Sequence, residues 1–469
     1  VKLALVAAAA VCSALGATSG AAVAGTHAAA GAHSAVSSGT WHTAQKVPGL
    51  AALNKNGDAD IASVSCASPG SCTTVGSYGD DSDPRAFAAT ETNGAWGRAK
   101  RIANLPRSTF QDPVSVSCGS PGNCSAGGNA GPGGFLVDEV NGTWGAAHLV
   151  TLKRGPSDEV RSVSCASAGN CSAGGDYANS SLTATAYVVD EVNGTWGTAQ
   201  EIPGIAALDQ GGFATVLSVS CASAGNCSAG GEYELASGAR QVFVADEVNG
   251  VWGTAQEVPG IAALNKGGLA HILSVSCASP GNCSAGGQYR SRRHGRNFLQ
   301  AFVVDEVNGV WGTAQEVPGT AALNKGNDAT VSSVSCTSAG NCSAGGSYGV
   351  TPATGRSDAT IQAFVASEVN GVWGKAETVP GIAALNKGGG AEISSVSCAS
   401  PGNCSAGGDY AGSRNSQAFV VGETDGVWGK AETVPGIKVL NKGGIAEISS
   451  LSCASPGNCS AGGQYLDTS

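Results

Sequence analysis

Residues 272–289 read ILSVSCASPGNCSAGGQY and residues 300–319 read QAFVVDEVNGVWGTAQEVPG. The first stretch holds two short strands, 273–277 and 283–289, joined by the turn-forming residues 278–282, so Cys277 and Cys283 face each other across a hairpin. The second holds strands at 301–307 and 310–317, split by Asn308-Gly309, the dipeptide that best meets the two positive φ angles of a type I′ turn. A two-residue loop fixes the pairing. Val307 then opposes Val310, and Glu306 opposes Trp311 on one face of the sheet.

This text recurs along the chain. Cys12 apart, the 17 cysteines fall into pairs at a single spacing: Cys66 and Cys72, Cys118 and Cys124, Cys165 and Cys171, Cys221 and Cys227, Cys277 and Cys283, Cys336 and Cys342, Cys398 and Cys404, Cys453 and Cys459. The tryptophans keep step with them at 41, 96, 144, 196, 252, 311, 373 and 428, a period of about 55 residues. Local disulfides are the natural reading, because the six histidines fall out of register between copies and leave each pair short of a zinc ligand set. No window shows sustained helical periodicity. Aromatic residues are 5% of the 469, too few for one large core but adequate for many small ones. Charged residues are only 13%, and the net charge of −10 without basic runs argues against a nucleic-acid partner.

Four-stranded antiparallel units of this kind build either an open solenoid or a closed ring, and the phase of the chain ends chooses. The chain reaches its first fourth strand at Trp41 and stops after a second strand at Tyr465. A ring gains from such a split unit, since both ends complete one sheet; the expectation is therefore an all-β, eight-bladed β-propeller. Residues 33–38 are expected to supply the missing third strand of that sheet. The small serines of SVSC suit the strand nearest the axis, which puts cysteine turns and Asn-Gly turns on one uniform face. Variable second-to-third loops and the ALNKGG linkers then share the other face.

Lys2, the apolar run 3–15 and the small residues ending at Ala24 have the order of a secretory leader. The run is shorter than the ~20 residues of a bilayer-spanning helix, and no lipobox surrounds Cys12. Val1 in a chain without Met looks like a translated GTG start. The expected organisation is a leader at 1–24, a flexible segment at 25–35 and the propeller at 36–469, exported to an oxidising extracellular space as a monomer with no membrane span.

Copies reading SVSCASPGNCSAGG followed by FVVDEVNGVWG resemble the Cys-repeat propellers of secreted actinobacterial proteins. More distantly the chain is similar to the BNR or Asp-box propellers that include sialidases. The segment EVNGTW at 191–196 occupies the place of the Asp box, without the Asp and glycine spacing of that motif. What the resemblance implies is a propeller with a structural Trp in each blade; nothing catalytic follows from it.

The long-looped face carries the candidate sites. Tyr177, Tyr233, Tyr289, Tyr348, Tyr410 and Tyr465 end the second strands there, and the first five are taken as ligand-facing aromatics. Lys55, Lys266, Lys325, Lys387 and Lys442, each preceded by Asn in a linker, are taken as a partial basic ring. The tryptophans read as packing between blades. The glutamates opposite them, at 91, 139, 191, 247, 306, 368 and 423, read as caps or indole partners. A basic loop at 290–296 and an acidic loop at 80–83 occur once each and read as exposed insertions, the latter without calcium-loop spacing. No catalytic residue, metal site or cofactor is expected: the arginines form no paired layout, and G-x-S-x-G, H-E-x-x-H and nucleotide loops are missing. The expected function is a binding or adhesion module for an extracellular glycan, cell wall or protein, strengthened by multivalency. An exported glycan hydrolase or lyase with one site at the channel mouth is the alternative, and an inert surface spacer a third.

Overall fold

A computed structural model describes residues 2–10, 39–54, 58–79, 84–105, 110–131, 133–150, 157–178, 183–293, 295–350 and 360–467. The fold is an all-β propeller of antiparallel blades. Seven blades, not eight, come from contiguous stretches, at residues 58–101, 111–149, 157–201, 214–257, 270–316, 329–378 and 391–433; we number them 1 to 7. The remaining sheet is a composite. Ala446–Ser455 and Asn458–Leu466 come from one end of the chain, and Lys2–Ala10, Thr40–Trp41 and Gln45–Lys46 from the other.

This closing sheet corrects one expectation. Its third strand is Lys2–Ala10, inside the stretch with leader character, which pairs from Lys2↔Leu466 to Ala9↔Cys459. Residues 33–38 lie outside the described residues. The outer part of each blade also differs from a single fourth strand. In blade 5 it is two short pieces, Val310–Trp311 and Gln315–Glu316, both paired with Arg296–Val307, so the sheets are five-stranded. The linkers contain four-residue helical turns such as Ile261–Leu264, too short to leave a periodic signal.

The predicted registers hold. Each blade carries its own disulfide, as in Cys277–Cys283, whose residues are cross-strand partners. Asn308 and Gly309 have φ of 51° and 79°, and the turn sets Glu306 against Trp311. The cysteine and Asn-Gly turns share a face: the Gly309 N–H donates to the Gly281 carbonyl at 2.9 Å.

The first strand of each blade is innermost, and its serines do more than fit. In blade 6 the N–H groups of Val334 and Cys336 donate to the hydroxyls of Ser274 and Ser276 in blade 5, at 3.0 and 2.9 Å. The same two bonds recur at every seam, including Val64 to Ser450 and Cys66 to Ser452 where blade 1 meets the closing sheet. These N–H groups face away from their own blade's second strand, so without the serines they would be orphaned inside the protein.

The core lies between blades. The third strand is an almost unbroken apolar run because both of its faces are buried: Phe302 and Val304 pack towards Val242 and Val244 of blade 4, Ala301 and Val303 towards Val331 and Val334 of blade 6. Two glycines make room for this. A Cβ on Gly287 would sit 1.9 Å from the His271 carbonyl oxygen, and one on Gly286 would sit 2.6 Å from Val331.

Candidate functional site

The repeated polar residues are used up in holding blades together. The Trp311 indole N–H donates to Asp246 of blade 4 at 3.0 Å, and Ser228 donates to the same carboxylate at 2.7 Å. Trp196, Trp252 and Trp373 repeat the contact with Asp138, Asp190 and Asp305. The indole partner is thus the Asp of the preceding blade rather than the Glu across the turn, which corrects the reading of the glutamates. Those glutamates are buried at the same seams. Burial and the neighbouring Asp push Glu191, Glu247, Glu306 and Glu368 up to about 7.

The five tyrosines taken as ligand-facing lie inside the blades. Tyr233 is 1% exposed and its hydroxyl donates to Glu257 at 2.5 Å; Tyr289 bonds to Glu316, Tyr177 to Glu201, Tyr348 to Thr378 and Tyr410 to Thr433. Each ring tucks under its own fifth strand, where an apolar body with one polar tip fits a buried edge. Tyr465 is fully buried as well. The structure places Lys266, Lys325, Lys387 and Lys442 as exposed side chains just after separate helical turns, and Lys55 lies outside the described residues. Their preceding asparagines are structural: Asn265 donates to the Arg240 carbonyl and to Gln241 of the neighbouring blade. The basic insertion at 290–296 extends the hairpin of Asn282–Arg293 and Arg296–Val307, while residues 80–83 lie outside the described residues.

What does not repeat is the mouth of the channel on the long-looped face. Early in each innermost strand one position carries Asp60, Asp112, Glu159, Thr215, His271, Thr330, Glu392 or Glu447, depending on the blade. Its cross-strand partner is equally varied, for example Asp176 beside Glu159, Glu232 beside Thr215 and Asp409 beside Glu392. Because the first strands ring the axis, these side chains meet those of adjacent blades.

They divide the mouth into two halves. Across blades 3 to 5, charges are paired. Arg161 binds Glu159 at 2.6 Å and Asp176 at 2.8 Å, Thr215 donates to Asp176 at 2.7 Å, and Glu232 takes Arg240 at 2.8 Å and His271. Across blade 7, the closing sheet and blades 1 and 2, carboxyl groups predominate. Asp409 is pushed up to about 6 by burial and by Glu392 and Glu447, and Asp112 to about 6 by burial and by Asp60. A cavity of about 330 Å3 opens here, lined by Asp58, Asp60, Ser77, Asp112 and Gln464 with Phe110 at its edge. Among the described residues no group of three acidic, His or Cys side chains is arranged to hold a metal ion. The sequence places the single site of the alternative reading at the channel mouth but names none of its residues, because no motif marks them. Their signal is the reverse of a motif: one variable column within otherwise constant text.

No protein-family model matches the chain, and no curated protein matches it. Solved structures with a similar arrangement include Sqt1 from Chaetomium thermophilum, at 12% identity and a TM-score of 0.49, covering 87% of this chain and 96% of that one. The β-propeller domain of the Trilobed protease from Pyrococcus furiosus, described as having an open velcro topology, gives 8% identity and 0.43, covering 79% and 95%. A subtype N11 neuraminidase-like protein of A/flat-faced bat/Peru/033/2010 gives 11% identity and 0.33, covering 67% and 85%.

Proposed function

We propose that the chain is an exported binding propeller whose working surface is the channel mouth on its long-looped face, where it takes an extracellular glycan or polypeptide. The observation that carries this reading is the contrast between seams and mouth. Seam residues repeat because every blade needs them, whereas blade packing makes no demand for Arg161 in one copy and Ser449 or Leu273 at the equivalent place in others. Varied polar groups gathered over a rigid, concave scaffold are what a ligand of low symmetry requires. With the tyrosines buried, repeated weak sites retain only the exposed linker lysines, so one composite site is favoured over many equal ones.

The disulfides and the leader pattern support export, and no helix of the described residues is long and apolar enough to cross a membrane. The test is titration of the purified exported protein against glycan, peptidoglycan and basic-peptide panels. Binding that is lost in Asp112→Asn and Arg161→Ala, but kept in Lys266→Ala with Lys325→Ala, supports the mouth. Binding with the opposite dependence points to the linkers, and no binding at all contradicts the reading.

A second reading has its own support. Asp60 and Asp112 line the same cavity, and burial together with Asp60 raises Asp112 to about 6. A carboxyl held up beside a second one in a cavity suits acid–base chemistry on a glycosidic bond. Turnover of a polysaccharide that disappears in Asp112→Asn would establish the hydrolase or lyase reading, and undiminished binding without turnover would exclude it.

A further inference from the structure

The closing sheet holds its third strand between two others. Lys2–Ala10 pairs antiparallel with Asn458–Leu466 on one side, over the residues from Cys459 to Leu466. On the other side it pairs with Thr40–Trp41 and Gln45–Lys46. It is also packed: Val6 is fully buried in a cluster with Val47, Leu50, Ile61 and Val64, and so fastens the closing sheet to blade 1.

This strand lies within the stretch that has the order of a secretory leader. If export removes residues 1–24, the main-chain groups of Cys459–Leu466 on that edge, and those facing them from Thr40 and Lys46, lose their partners together, and the Val6 position empties. The chain that remains before Thr40 replaces it poorly. Residues 25–39 read GTHAAAGAHSAVSSG, with Val36 as the one bulky aliphatic residue. Counted back from Thr40 across a two-residue turn, the place of Val6 falls to His33.

We propose that leader removal opens a strand-acceptor groove in the closing sheet, and that this groove takes an extended, uncharged segment of another polypeptide, antiparallel to Asn458–Leu466. Two features define the occupant. Main-chain pairing on both sides requires an extended backbone without proline, the physics of strand addition at a sheet edge. Specificity comes from the alternation of side chains, with a β-branched aliphatic residue needed where Val6 stands, against Ile61 and Val64. Gly462 and Gly463 lie directly across from Val6 and Leu5, and a Cβ on either would collide with Ile61 or with the Glu447 carbonyl oxygen, so the acceptor strand has to stay bare there.

The proposal rests on the export reading, and the experiment separates the two. N-terminal sequencing of the exported protein tests leader removal alone. The groove is tested with a synthetic peptide of residues 2–10, KLALVAAAA, titrated into the chain of residues 25–469. Saturable binding with a raised Tm is expected, together with at least a tenfold loss of affinity for the Val6→Asp peptide. Where the shortened chain does not fold by itself, the full chain carrying Val6→Asp takes its place and should gain binding of the unaltered peptide. A folded acceptor that ignores the peptide, or one that binds both peptides alike, overturns the groove even if sequencing finds residues 1–24 removed. Lys2 still present on the exported protein would overturn leader removal and, because residues 2–10 then fill the groove, the proposal with it, whatever the shortened chain binds.

Discussion

The indole N–H of Trp311 donates to the carboxylate of Asp246 across the seam between blades 5 and 4, while Trp96, in the same place in blade 1, has no hydrogen-bond partner for its Nε1 among the described residues. The difference lies in the preceding sheet. The position of Asp246 is held by Ala8 in the closing sheet, which has no acceptor to offer. Trp311→Phe should therefore lower stability by about 1–3 kcal/mol more than Trp96→Phe, because only the first leaves a buried carboxylate short of a donor. Chemical denaturation of the two variants measures the gap; equal losses would mean the bond adds nothing to packing.

The serine hydroxyls at the seams make a similar prediction. Ser276→Ala leaves the part-buried Cys336 N–H without its acceptor, and should destabilise by about 1 kcal/mol. Ser276→Thr retains the hydroxyl and should recover part of the loss. Amide exchange at Cys336 should quicken in the alanine variant.

Stability should fall as pH rises. Glu191, Glu247, Glu306 and Glu368 sit near 7 in the folded protein against 4.5 for the free side chain, raised by burial and then by the Asp of the adjacent blade. A group whose folded value is raised contributes stability that is complete below 4.5 and is lost as pH climbs through about 7. Tm recorded from pH 4 to 9 should decline across that window. Glu306→Gln, permanently uncharged, should flatten the decline and raise Tm at pH 8.

Each disulfide closes a short local loop, so removing one should cost about 2 kcal/mol in the chain-entropy model and leave the others intact. Cys277→Ser with Cys283→Ser should lower Tm without abolishing the fold. Peptide mapping of the unaltered protein should find only pairs six residues apart, such as Cys277 with Cys283. A link between different blades would contradict the fold.

How much of this could be read from the sequence depends on whether the signal was local. Cys277, Cys283, Asn308, Gly309, Glu306 and Trp311 declared a hairpin, a turn type and a register, because each acts over a few residues. The partners of Trp311 and Ser276 lie in another blade, 65 and 60 positions away, and no spacing rule joins them. Tyr233 and its neighbours were misjudged because a residue ending a strand was taken to face solvent, whereas the following short strand carrying Glu257 covers it. Lys2–Ala10 was assigned a single role by its leader pattern. A small, apolar, uncharged run serves equally well as a buried strand, and composition does not separate the two.

The closed ring is tested most directly by distances between spin labels at equivalent exposed positions beside the third-to-fourth turns. Val251 and Val372 lie two blades apart within the contiguous part of the chain, and Val427 and Ala95 lie two sheets apart across the closing sheet. A closed ring predicts the same distance for both pairs. A much longer separation between Val427 and Ala95, as in an open array with its ends apart, would contradict it.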